Sequence, residues 1–392
     1  MSPPIPAQDG RAQRPAPPTH SSWHEARFLD ALELEGLLPP SGPLYSAESW
    51  EDTPFSSLVE HVRRGRIAAA IARRVGQWPL AGALARALCD LGLAGRLLVR
   101  SRKPGSVALV LQERAVLWFA LLRSLFGTRG KIVLFAYYLH PSSGIRKKLL
   151  RRAFRSADVC AMLSREMGER YSRELELPAE HFVMIPYKSN HSLLPSEAPL
   201  SLGDYVFSGG NSERDYRTLF QAVEGLEIPV LVSTTDPAWT RGGQIPRNVV
   251  LIQAQEPHYR RLMAAARLVV VPLTANRLRG AGEASFLNAM WHGRPVICAD
   301  DVSAPEYIEN GVDGIVVPPA DPSVLRDAIL MVWGDREKAE ALGRAGRAKV
   351  ESGHTHDLYC ERMVKLGCIL SREGEFRCPR ARAEAEPEHR PR

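Results

Sequence analysis

The chain has 392 residues, 45% of them hydrophobic and 24% charged, with a formal net charge of +7. That length favours two domains, and the composition excludes a collagen-like or wholly disordered polymer. The positive charge is almost all arginine, whose planar fork suits phosphates and phospholipid headgroups. The lack of a zinc finger, an RNP-type aromatic motif or a basic region with heptads argues against nucleic acid as a partner.

Residues 1–22 are Pro-rich and read as a disordered arm rather than a signal peptide. The longest uncharged apolar stretches, Val75–Ala85 and Ala115–Leu122, fall well short of the roughly 18 residues a membrane span needs. The six cysteines are scattered without a CxxC pair, so the expectation is idle thiols in a reducing cytoplasm, with no zinc site. Ser56–Val75 and Leu80–Val99 read as helical. From Ser106 onward, apolar runs alternate with helical ones: strands at Ser106–Gln112, Lys131–Leu139, "VCAML" and "HFVMIPY" are each separated by a helix. Strands buried on both faces between helices predict a parallel sheet.

A polar, Pro-rich linker covers residues 190–203, and a second series follows. Its strands are predicted at Tyr205–Ser208, Pro229–Ser233, Asn248–Gln253, Leu268–Leu273, Pro295–Ala299 and Gly314–Pro318. The fold class is α/β, with two doubly wound domains in tandem at 23–198 and 203–352. A further helix over 353–370 is placed to cross back to the first domain, and 371–392 reads as a disordered tail.

Two loops have the design of anion sites. In "YVFSGGNSERDYRTLFQAV" a strand runs into Gly209 and Gly210, then Asn211, then a helix start bearing Arg214. Bare N–H groups, the helix dipole and an arginine attract a phosphate; the plain alternative is a tight turn capped by Asn or Ser. In "RGAGEASFLNAMWHGRPVI" the N–H groups around Gly282, Glu283 and Ala284 form a second such start, Ser285 offers a hydroxyl, and Asn288 reaches for a ribose. Its alternative is a turn shaped by Gly280 and Gly282, with Asn288 in solvent. The segment Gly144–Ala157 has an apolar stripe and a strongly basic remainder. It packs on the sheet, and its basic face is either solvated or rests on an anionic membrane surface, which makes a peripheral position on the inner face the second reading of location.

The segments "FSGGNSERDYRTLFQA", "AGEASFLNAMWHGRPVI", "APEYIENGVDGIVVPPADPSVLRDAI" and "LGRAGRAKV" resemble the carboxyl-terminal domain of GT-B nucleotide-sugar glycosyltransferases of the retaining family four type. The resemblance is fainter over 106–190 and is lost before residue 100. It implies two Rossmann-like domains facing across a cleft, with the donor held mainly by the second and the acceptor (a glycan, a lipid-linked sugar or a small molecule) by the first. The nucleotide sugar is then substrate, with no cofactor and no metal. The family's two glutamates fall at Gly280 and Asn288, so Glu283, one turn on, is the residue placed to take the sugar-facing role. Arg214 stands where the family has a lysine. His140 matches a histidine that faces the donor sugar, and is otherwise a loop histidine before Pro141. Lys188, in "IPYKSN", is a partner for the leaving diphosphate or packs at the hinge.

The expected activity is hexosyl transfer to an acceptor hydroxyl with retention. The alternatives are a non-catalytic nucleotide-sugar-binding or scaffold relative, suggested by the missing glutamates, and a sugar-nucleotide epimerase of the same fold.

Overall fold

The computed structural model describes residues 44–46, 59–61, 79–110, 113–135, 144–194, 200, 202–240, 244–275 and 280–372. The first sheet is built from β1 (Leu44–Ser46), β2 (Val59–His61), β3 (Val107–Val110), β4 (Lys131–Phe135), β5 (Val159–Met162) and β6 (Phe182–Met184). All six run parallel in the order β2-β1-β3-β4-β5-β6. Strand β3 is buried throughout and β4 everywhere except Lys131, which is why both read as unbroken apolar runs. Helices α1 (Pro79–Arg100), α2 (Glu113–Phe126), α3 (Gly144–Ser156) and α4 (Arg165–Leu175) accompany the strands.

One sequence expectation is corrected here. Within the supposed helix Ser56–Val75, residues Val59–His61 form β2, hydrogen-bonded in register to Leu44–Ser46. Three residues with one apolar member carry no periodicity, and pairing with β1 overrides local preference.

The second sheet comprises β7 (Val206–Gly209), β8 (Val230–Ser233), β9 (Val249–Ile252), β10 (Leu268–Val271), β11 (Val296–Ala299) and β12 (Ile315–Val317). Its order, β12-β11-β10-β7-β8-β9, is the doubly wound one, and the winding reverses between β7 and β10. Helices α5 (Tyr216–Val223), α6 (Pro237–Thr240), α7 (His258–Ala265), α8 (Glu283–Trp291), α9 (Ala304–Tyr307), α10 (Pro322–Gly334) and α11 (Arg336–Gly353) complete this domain.

The last helix, α12 (His356–Ser371), packs on β3 and β4 of the first sheet and contributes Tyr359, Met363, Val364, Leu366 and Leu370 to that core. Gly367 lets it sit close, since a Cβ there would stand 3.2 Å from Leu44. The domains also touch directly. The fully buried Tyr307 hydroxyl accepts the Tyr187 N–H at 2.8 Å and donates to the Leu163 carbonyl at 2.6 Å. Beside it, the Glu306 carboxylate of the second domain accepts the Arg165 and Glu166 N–H groups at the start of α4.

Candidate donor site at the switch point of the second sheet

In a doubly wound sheet the crevice opens where the winding reverses, beyond the carboxyl ends of the strands. Here that point lies between the loop after β7 and the loop after β10, the two glycine loops singled out in the sequence.

Gly209 ends β7 beneath the ring of Tyr259, whose hydroxyl would lie 2.4 Å from any Cβ at 209. Gly210 has φ +122, open to glycine and strained for other residues, and its carbonyl accepts the Tyr216 hydroxyl at 2.6 Å. The Arg214 guanidinium folds back over these glycines. Its Nε donates to the Gly209 carbonyl at 3.2 Å, Nη1 to the Ser212 carbonyl at 2.7 Å and Nη2 to the Ser285 hydroxyl at 2.7 Å. Those bonds use three of arginine's five N–H groups, and two remain. Arg214 and Ser285 thereby join the two loops.

Two expectations for this loop change. The Gly210 N–H is not bare, because it donates to the Ser233 carbonyl at 3.1 Å; the glycines serve by making room for Arg214 and Tyr259. The Asn211 side-chain oxygen accepts the Thr234 hydroxyl and the Thr235 N–H, both at 2.8 Å, so it braces the turn after β8.

The second loop is different. Gly282 caps α8 with φ +90, lies against Val271 and Leu273, and supplies no side-chain cap. Its carbonyl takes the Ser285 and Phe286 N–H groups at 2.8 and 2.9 Å. Among the described residues, the Gly282 and Ala284 N–H groups have no protein acceptor. They form an uncapped helix start next to Arg214, an arrangement that binds anions.

Glu283 turns inward. Its carboxylate is buried, and Oε1 lies 2.1 Å from where a Cβ on Gly280 would stand, with the Ser303 hydroxyl at 2.9 Å from the same point. The Glu283 carboxyl therefore fills the space a side chain at 280 would take. Oε1 has no hydrogen-bond partner. Burial, and then the nearby Asp301 charge, push this carboxyl up to about 7. Asp301 accepts N–H groups from Ala281, Ser303 and Ala304 and the Ser303 hydroxyl, tying the β10 loop to the β11 loop. Neither Asp301 nor Tyr259 emerged from the sequence. The Asp301-x-Ser303 turn before Pro305 is a local signal of such a brace; Tyr259 carries none.

Three other predicted residues lie elsewhere or beyond view. Asn288 is buried, and its side-chain oxygen accepts the Ser189 hydroxyl at 2.8 Å and the His191 N–H at 3.1 Å. Five residues along α8 turn it about 140° from Glu283, toward the interdomain segment whose two donors occupy its oxygen. Lys188 donates to the Asn190 side chain at 3.1 Å and lies 5.6 Å from the Tyr359 ring centroid, against α12 rather than beside Arg214. Burial lowers its pKa. His140 lies outside the described residues. Behind Asn288, the buried His191 Nδ1 and the half-buried His292 Nε2 stand 2.9 Å apart, a pair the sequence did not disclose.

Residues 230–335 match the family described as "Glycosyl transferases group 1". Solved structures share both domains. HepE of Anabaena, in complex with UDP and glucose, aligns over 76% of this chain and 82% of its own, with 18% identity and a TM-score of 0.57. A glycosyltransferase from Rickettsia africae aligns over 85% and 100%, at 11% identity and a TM-score of 0.62.

The chain has the GT-B fold.

Sucrose-phosphate synthase from Thermosynechococcus elongatus is a further GT-B structure aligned over 79% of this chain and 82% of its own, with 16% identity and a TM-score of 0.55. Among curated proteins, D-rhamnosyltransferase WbpZ of Pseudomonas aeruginosa is 33% identical over 66 residues, and this match spans 17% of each chain. In GT-B terms, the glycine loops and Arg214 belong to the second domain, and the family match begins at β8, just after the first of those loops.

Proposed function

We propose that the chain is a glycosyltransferase that moves a sugar from a nucleoside-diphosphate sugar to an acceptor hydroxyl in glycan or glycoconjugate assembly. One observation carries the reading. At the switch point of the second sheet, Arg214 keeps two N–H donors to spare beside the uncapped first turn of α8. A helix start and an arginine together suit a diphosphate. Charge grows on the departing phosphate oxygen as the glycosidic bond breaks, and donors fixed beforehand stabilise it without reorganising.

In this transfer the anomeric carbon–oxygen bond breaks with its electron pair going to the diphosphate. The acceptor oxygen bonds to the same carbon, and its proton passes to the departing phosphate oxygen. The transferred group is a hexosyl unit and its configuration is retained, with the amides and Arg214 doing the work of a metal ion. The Glu283 carboxyl, short of one partner, hydrogen-bonds a sugar hydroxyl, and His140 is the second candidate at the sugar. The UDP and glucose held by HepE and the rhamnosyl transfer named for WbpZ are of the same chemical class.

Thermal melting with UDP-, GDP- and ADP-sugars tests the site, since a ligand that binds only the folded chain raises Tm. One donor class is expected to do so, and Arg214→Ala to abolish the rise. Free nucleoside diphosphate is then released when an acceptor is present. No rise with any donor, or an unchanged rise in Arg214→Ala, overturns the site. Saturable binding without release in the presence of acceptor glycans would favour a non-catalytic binder.

A further inference from the structure

We infer that the outer face of α1, α2 and α3 is a docking surface for an anionic lipid bilayer. In a parallel sheet all three helices run antiparallel to the strands and so parallel to one another, and α2 packs between its neighbours. The layer they form turns Leu150, Ala153 and Phe154 of α3 and Phe119 of α2 toward the sheet. Its outward side carries large exposed apolar side chains. Ile145 is 78% exposed, and Leu125 and Phe126 are each 65% exposed. Leu84, Leu88 and Val99 form an exposed stripe along one side of α1. Val99 and the Leu125–Phe126 pair share one end of the layer, whereas Ile145 stands on the first turn of α3, at the opposite end.

Charge selects the occupant. From Pro79 to Ser156 the sequence has fifteen Lys and Arg against two acids, Asp90 and Glu113, a local +13 where the whole chain is +7. Asp90 is buried. Arg123 and Arg151 are paired with Asp158 and Glu176, but Lys148, Arg152 and Arg155 stand exposed on α3 among the apolar side chains. Large exposed apolar groups within a basic field match a surface that offers acyl chains beneath phosphates. Nucleic acid offers the charge without the apolar layer. Among the described residues no helix is long and apolar enough to span a membrane, so the contact is one of docking on the surface. The inference stands on this face alone, whatever the second domain binds.

The test is co-sedimentation of the full chain with phosphatidylcholine vesicles, with and without phosphatidylglycerol, and without any sugar donor. Binding is expected only with phosphatidylglycerol, weakening as NaCl rises. Two variants probe the two components, Leu125→Ser/Phe126→Ser and Lys148→Glu/Arg155→Glu. The charge-reversal variant should lower the partition by on the order of tenfold or more, and the apolar variant should lower it too, with Tm unchanged in both. Equal binding to phosphatidylcholine alone, no loss in either variant, or capture of a duplex oligonucleotide where vesicles fail overturns the proposal.

Discussion

Glu283 shows how one missing side chain sets the state of another. Because residue 280 is glycine, the Glu283 carboxyl can lie where a Cβ would otherwise be, in a buried position next to Asp301. Burial disfavours its ionised form, hence a value pushed up to about 7. A folded-state pKa above the unfolded one contributes stability that is complete below about pH 4.5 and is lost as pH rises through 7. Glu283→Gln, neutral at every pH, should therefore escape that loss. Its Tm is expected to fall less than that of the parent chain between pH 6 and pH 9, while donor-dependent release drops. A parallel pair of melting curves would place the carboxyl elsewhere. Gly280→Ala drives a methyl into the same oxygen, and overpacking of this kind costs roughly 1–3 kcal/mol. Urea denaturation measures that cost directly.

At the scale of elements, α8 has two working halves. Its first turn faces the crevice, while Asn288 and His292 grip the turn at 189–193 that leads out of the first domain. The buried His191 and half-buried His292 lie near the charges of Arg260, Arg294 and Arg347, with Glu256 3.3 Å from His191 Nε2. Burial lowers the two rings from 6.5 to about 3 and about 4. Below pH 6.5 the unfolded chain binds protons that the folded chain refuses, so stability present above that pH is lost as the medium acidifies toward 3. His292→Gln removes one such site and should flatten the fall in urea stability between pH 7 and pH 4.5. An equally steep fall would mean that the pair does not govern it.

This grip was not legible in the sequence, because Asn and His on a helix give no hint of a partner about a hundred residues away. The strands of the second domain were legible to within two residues. Buried parallel strands are apolar runs with punctuation, and β10 stops at Val271 because Pro272 has no N–H to continue the ladder. The glycine loops were legible as anion-type turns, but which amides remain unpaired depends on Ser233, a neighbour in space. Strands β1 and β2, three residues each, lacked the length for any period to show.

Across the whole molecule, α12 decides which half can stand alone. It follows the second domain in sequence, yet its apolar face belongs to the first core, where Tyr359, Met363, Val364, Leu366 and Leu370 are buried on β3 and β4. Each such side chain contributes about 1.5–3 kcal/mol by leaving water, so the five together amount to on the order of 10 kcal/mol. That equals the entire net stability of a typical domain, about 5–15 kcal/mol. The second domain owes α12 nothing comparable, since its two core clusters are filled from residues 184–350. A chain ending at Thr355 is therefore expected to lose the first domain and keep the second. Limited proteolysis should cut it throughout the first 190 residues and leave a resistant fragment beginning near Gly203, which still melts cooperatively. Because Arg214 and the start of α8 both lie in that fragment, the donor that raises Tm in the full chain should raise it there as well. If the shortened chain instead resists protease along its whole length, the first sheet holds without its returning helix, and the stability assigned to α12 is wrong.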